Sequence, residues 1–132
     1  MSATTPVTTV GPAPGFAKRP DYAMNLSPAG SRVQVFLGGT LIADSTQAMV
    51  VAEGSYPPRY YLPLGDVSAD ALTPTSHSTH CPFKGDARYW TVSAGGDTVE
   101  NGAWAYDAPF DEFAEAGGLI SFYGEHMEIV VG

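Results

Sequence analysis

Val33-Gln34-Val35-Phe36-Leu37, followed by Gly38-Gly39 and then Thr40-Leu41-Ile42-Ala43, restricts the possible folds more than any other stretch. The first five residues alternate in side-chain character with the two-residue period of a strand. Two glycines tolerate the positive φ that a two-residue hairpin turn requires. Strands joined by so short a turn pair antiparallel, because a parallel partner needs a crossover of about a dozen residues or more. Asp44-Ser45 closes the unit with turn chemistry.

The same pattern recurs along the chain. Residues 47–53 predict a third strand, 54–58 a turn, and 59–63 a short strand that Pro58 and Pro63 confine to an edge or a bulge. Tyr60 and Tyr61 then face opposite sides. Residues 73–79 read as a polar run ahead of a shaped loop. Residues 86–92 predict a strand and 94–97 a turn. Residues 98–102 fit either a strand broken by an Asn-Gly turn or a bulge. The strand at 103–106 puts Trp104 and Tyr106 on one face. Residues 119–123 and 127–131 predict two last strands around Gly124-Glu125. The one short helix is expected over 107–116. Pro109 stands near its start, Asp111 and Glu112 in its first turn, Phe110 and Phe113 share one edge, and Gly117-Gly118 ends it. Residues 64–72 read as a loop or a helical turn capped by Asp66.

These elements sum to a mainly β fold, a compact antiparallel domain of about eight short strands with one short helix over residues 31–132. Residues 1–30, rich in Pro, Gly, Ala and Thr, read as an N-terminal arm that packs over the domain through Phe16, Tyr22, Met24 and Leu26.

Charge and composition narrow the function. The net charge is −8 over 132 residues, so nucleic acid is not an expected partner, since phosphate backbones call for clustered cations. One cysteine excludes an internal disulfide framework and a Cys-rich zinc site. No apolar run approaches a membrane span, and no basic start leads into an apolar core, so a cytoplasmic protein without a membrane partner is expected. The βα alternation and Gly-rich loop of a dinucleotide domain are missing. No cofactor or metal is expected: His77, His80 and His126 do not have the spacing of a zinc motif. A monomer or a homodimer is expected.

The densest chemistry lies in Thr79-His80-Cys81-Pro82-Phe83-Lys84-Gly85. Cys81 reads either as a nucleophile activated by Lys84 or a histidine, or as a small buried hydrophobe. Lys84 and Arg59 suit a carboxylate or phosphate, the one as a point charge and the other as a planar fork. Alternatively Lys84 pairs with Glu53 or Asp66. Those two acids are the best carboxylates for proton transfer, and Glu53 could oppose Arg59 across the turn between them. Tyr61, Trp104 and Tyr106 could wall a planar ligand. Candidate catalytic residues are thus Glu53, Cys81 and Lys84. Candidate ligand-binding residues are Arg59, Tyr61, Asp66, His80, Asn101, Trp104 and Tyr106.

The chain resembles a bacterial and fungal family known as domain of unknown function 427. The resemblance runs over roughly residues 31 to 131. It rests on 33–45, Glu53, Tyr60-Tyr61-Leu62-Pro63, Asp66, 79–85 with Ala87 and Tyr89, Asn101, Trp104-Ala105-Tyr106, Pro109 and 120–123. It implies a compact β domain with a tent-like topology shared with some zinc-binding proteins, whose cysteine pairs this chain lacks. The family is sometimes labelled nucleotidyltransferase-like. No paired-carboxylate motif beside a Gly-Ser turn stands here to match that label. The expected function is a small-molecule pocket, of a binding domain or of an enzyme, for a compact anionic or planar metabolite. The alternative is a non-catalytic structural or protein-interaction module.

Overall fold

A computed structural model describes residues 8–132. Among them ten strands form two antiparallel sheets. In chain order they are β1 (Met24–Pro28), β2 (Val33–Leu37), β3 (Thr40–Ser45), β4 (Met49–Glu53), β5 (Arg59–Leu62), β6 (Leu72–Cys81), β7 (Gly85–Ala94), β8 (Asp97–Ala105), β9 (Ile120–Phe122) and β10 (Glu128–Val131). The larger sheet runs β1-β4-β5-β9-β8-β7-β6, and the smaller runs β10-β2-β3.

Strand periodicity divides the apolar residues between two cores. Val33, Val35 and Ile42 of the smaller sheet pack with Leu62, Trp90, Val92, Ala103, Ile120 and Phe122 of the larger. Val51, Tyr61, Ala87, Tyr89, Trp104 and Tyr106 form the second core with Phe113 and Ala116. Neighbours in sequence separate cleanly: Tyr61 from Leu62, Tyr89 from Trp90, Trp104 from Ala103 and Ala105. That is the alternation of a sheet buried on both faces.

Three elements differ from the sequence reading. The polar run at 73–79, given no secondary structure in the sequence reading, lies inside β6, which also takes in His80 and Cys81 of the expected loop. β6 is an edge strand whose residues are largely exposed, so no apolar alternation marks it; its ladder to β7, interrupted by a bulge between Pro74 and Ser78, holds it. The helix is a 3₁₀ segment, Asp111–Ala116. Phe113 and Ala116 both bury, and three residues per turn place them on one side, which 3.6 would not do as well. So short a segment also gains little from α-helical propagation. At residues 64–72 two 3₁₀ turns occur, Leu64–Asp66 and Ala69–Ala71, and Asp66 caps neither.

The arm has structure of its own. Its first seven residues lie outside those described. Gly15–Lys18 makes one α-helical turn, α1, and β1 adds the larger sheet's edge strand, Met24 to Pro28 paired with Glu53 to Met49. Pro28 is tolerated because it ends an edge strand.

The hairpin at 33–45 forms as expected, with Gly38 and Gly39 at φ 57° and 77°. It sits against the turn between β7 and β8. A Cβ on Gly95, at φ 59°, would come within 2.8 Å of Thr40 Oγ1 and 2.9 Å of the Gly38 carbonyl. Gly95→Ala is therefore expected to cost at least about 1–2 kcal/mol, the penalty of left-handed backbone alone. Gly65→Ala, at a position with open space and ordinary φ, should be nearly neutral. Urea midpoints of the two variants make the comparison.

Candidate functional site

The second core does not fill its face of the sheet. Between Glu53, Arg59, Lys84 and Glu125 a hollow of ≈480 Å³ opens to solvent, walled by Tyr56, Tyr61, Tyr89, Trp104, Tyr106 and Tyr123. Strand order builds it. Glu53 ends β4 and Arg59 begins β5, and the two-residue period places them on the same face as Val51 and Tyr61. Ser121 on β9 pairs with Tyr61 on one side and Trp104 on the other. Its small side chain lets Trp104 Nε1–H reach across and donate to Tyr61 Oη at 3.0 Å. Tyr89 enters from β7, directly opposite Trp104.

The acid is held from two directions. The Lys84 ammonium pairs with Glu53 Oε1, and Tyr22 Oη donates to Glu53 Oε2 at 2.5 Å. The Lys84 and Glu53 side chains are only 13% and 14% exposed. Tyr22 comes from the arm, where its ring stacks on Phe83 at 3.8 Å and 8°. Gly15 N–H donates to the Pro82 carbonyl at 2.9 Å, and no Cβ would fit there against Phe83. The arm thus grips the loop that carries Lys84. The hydrogen bond to Glu53 raises the Tyr22 phenol well above its usual range, so it remains a donor at neutral pH.

Arg59 does not pair with Glu53, as the turn between them suggested. Register sets Arg59 opposite Val51 and leaves Glu53 to pair with Met24 of β1. The guanidinium instead donates from Nη1 and Nη2 to the two carboxylate oxygens of Glu125, at 2.8 and 3.0 Å. Trp104 and Tyr123 rings each lie 5.5 Å from its central carbon. These hydrogen bonds lower the Glu125 carboxyl from the usual 4.5 to about 2. The folded state thus binds that proton more weakly than the unfolded chain. The pair's contribution is complete above about pH 4.5 and is lost as pH falls toward 2. Glu125→Gln should therefore destabilise modestly at pH 7, by at most about 1 kcal/mol for so exposed a pair. Its deficit relative to the wild type should shrink steadily below pH 4.5 in urea titrations at graded pH.

Burial raises the phenols of Tyr61 and Tyr106, so both keep their protons at neutral pH. Tyr61 accepts from Trp104 and retains its own O–H to give. The Tyr106 hydroxyl has no hydrogen-bond partner among the described residues. The wall is thus neutral and aromatic, with Tyr61, Trp104 and Tyr106 themselves nearly buried.

Of the residues singled out in the sequence, Glu53, Arg59, Tyr61, Lys84, Trp104 and Tyr106 converge here. Cys81, half-buried, packs against the same core without lining the hollow. Asp66 lies elsewhere, accepting from Ser45 Oγ at 2.6 Å. His80 pairs with Asp86 at 2.7 Å beside a separate depression of ≈440 Å³. Asn101 forms a left-handed kink in β8 at φ 52° and accepts from Thr75 Oγ1 at 2.6 Å. His77 packs on Tyr89 and His126 beside Tyr123, and no group of three metal-ligating side chains forms among the described residues. No helix there is long and apolar enough to cross a membrane.

The sequence reading named Tyr22 as an arm contact and Tyr89 and Tyr123 within the resemblance, but placed none of them, nor Glu125, at the site. Tyr89 could have been found, since it shares a strand face with Ala87 and opposes Trp104. Nothing local marks Tyr22, Tyr123 or Glu125, which arrive from the arm and from the turn after β9.

None of the curated proteins compared matches the chain. A family model described as a domain of unknown function (DUF427) matches residues 25–132. Tyr22 stands outside that match, whereas both sheets, apart from the first residue of β1, and all residues lining the hollow fall within it. On that match the chain belongs to the DUF427 family.

Proposed function

We propose that this chain is a cytoplasmic small-molecule-binding domain whose hollow takes a compact anionic or planar metabolite, with Glu53 as the proton-carrying group. The observation that supports this reading most is the convergence of Glu53 and Arg59, from the two sides of one turn, with Lys84, from a distant loop, on one open hollow with aromatic walls. Concave sites of a few hundred Å³ with apolar walls and a few fixed polar groups are the usual form of a ligand pocket. Tyr61, Trp104 and Tyr106 serve as walls, Arg59 as the charge-bearing anchor, and Lys84 with Tyr22 as the groups that orient Glu53.

Titration of small planar compounds, with and without a carboxylate, tests the reading. The wild type should bind at least one class saturably in the millimolar range or below. Tyr106→Phe removes one hydroxyl that holds nothing else in place, and should weaken binding up to about tenfold while leaving stability nearly unchanged. The absence of saturable binding across both classes would remove the support for a pocket and leave an interaction module as the better account.

A further inference from the structure

The two ion pairs in the hollow are not equivalent, and the difference identifies the cation free to exchange partners. Lys84 and Glu53 are nearly buried, so separating them strands a charge in a poorly solvated place. Glu125 is 58% exposed and Arg59 29%. Glu125 stands on the turn where His126 N–H returns to the Tyr123 carbonyl, at 3.1 Å, and its carboxylate can rotate into water at little cost, as exposed pairs generally can.

Arg59 meanwhile has the form of a finished carboxylate receptor. Its fork is presented flat to two oxygens, and aromatic rings beside it fix the guanidinium plane. That geometry suits the bidentate recognition arginine favours. The pair also stands between two spaces. Pro57, Arg59 and Glu125 line both the main hollow and a smaller one of ≈310 Å³ that also touches Pro58 and Ile129.

We propose that Glu125 is a resident stand-in for the ligand, and that the hollow's ligand is an aryl monocarboxylate whose carboxylate displaces Glu125 from Arg59 while its ring lies against Trp104 and Tyr106. This rests on the pocket reading above and specifies its substrate class. Charge fixes the number of anionic groups. With Glu125 swung out, the lining retains Arg59, Lys84 and Glu53, a balance of one positive charge, which suits a single carboxylate. A polyphosphate would bring several negative charges against that balance of one positive charge, on a chain of net charge −8. Trp104 and Tyr106 supply the face and the hydroxyl donor for the ring.

Benzoate and its neutral isostere benzamide are the probes, followed by ligand-observed NMR on the full chain. Glu125→Gln and Glu125→Ala should each tighten benzoate binding, by roughly three- to fivefold, as loss of an exposed internal competitor would. Benzamide affinity should not change in either variant. Arg59→Lys should weaken benzoate about tenfold or more, because a point charge cannot replace the fork, and should hardly affect benzamide. Benzoate binding indifferent to both Glu125 variants, or equal tightening of benzamide, overturns the proposal while leaving the pocket in place. Saturation by neither probe in any of these proteins overturns this proposal; if the wider set of planar compounds fails as well, the pocket reading falls with it.

Discussion

Lys84→Met is expected to lower the free energy of unfolding by about 3 kcal/mol, the lower part of the range for breaking a buried ion pair. The cost comes less from the attraction lost than from the group left behind. The Glu53 carboxyl group would be left at 14% exposure, with the Tyr22 hydroxyl as its only fixed side-chain partner among the described residues. Two further variants separate these contributions. Glu53→Gln alone strands the ammonium and should cost a similar amount. Glu53→Gln combined with Lys84→Met removes both charges and keeps most of the volume, and should recover to within about 1 kcal/mol of the wild type. Urea denaturation of the four proteins closes a double-mutant cycle, and a coupling of about 2 kcal/mol or more is expected. If either single variant lost less than about 1 kcal/mol, the pair would be behaving as a solvated one. The contrast drawn between Lys84 and Arg59 would then fail.

Phe113→Ala should destabilise by about 3–5 kcal/mol. Phe113 is fully buried. Its ring meets Tyr61 edge-on at 5.4 Å and Tyr106 at 5.1 Å, and the Lys84 ammonium lies 6.0 Å from its centroid. The 3₁₀ segment that carries it is only six residues long, too short to hold without packing, and Phe113 is its largest buried side chain. Truncation would therefore open a cavity under the floor of the hollow and release the segment. Phe113→Leu keeps most of the volume and should cost about 1–1.5 kcal/mol. A drop in urea midpoint without a change in slope would locate the effect in the native core. An alanine cost near that of leucine would mean that the segment closes over the gap, and that Tyr61 and Tyr106 do not depend on Phe113 for their positions.

Much of this organisation is legible from local pattern. The hairpin at 33–45, the opposed faces of Tyr60 and Tyr61, and the shared face of Trp104 and Tyr106 all follow from a period of two and a glycine turn. The misreadings have equally physical causes. β6 went unrecognised because an edge strand with its side chains in water carries no apolar alternation. The segment at 111–116 had the signals of an α-helix start, but burial of Phe113 with Ala116 favoured the tighter winding. The proposed contact between Glu53 and Arg59 assumed a symmetric hairpin. The actual register places Val51 opposite Arg59, and each charged side chain finds a partner far along the chain.

Alternation within a strand is dictated by neighbouring residues, so the amino-acid order alone determined which side chains could share a face. It also determined that those faces would belong to antiparallel sheets. Only the tertiary structure decided that β4, β5, β8 and β7 would present those faces to one hollow, with β9 between them, and that Lys84 would meet Glu53 while Glu125 took Arg59. Ladder hydrogen bonds and core packing between segments tens of residues apart select that order. Their free energy depends on all the strands together, and no short stretch of sequence records it.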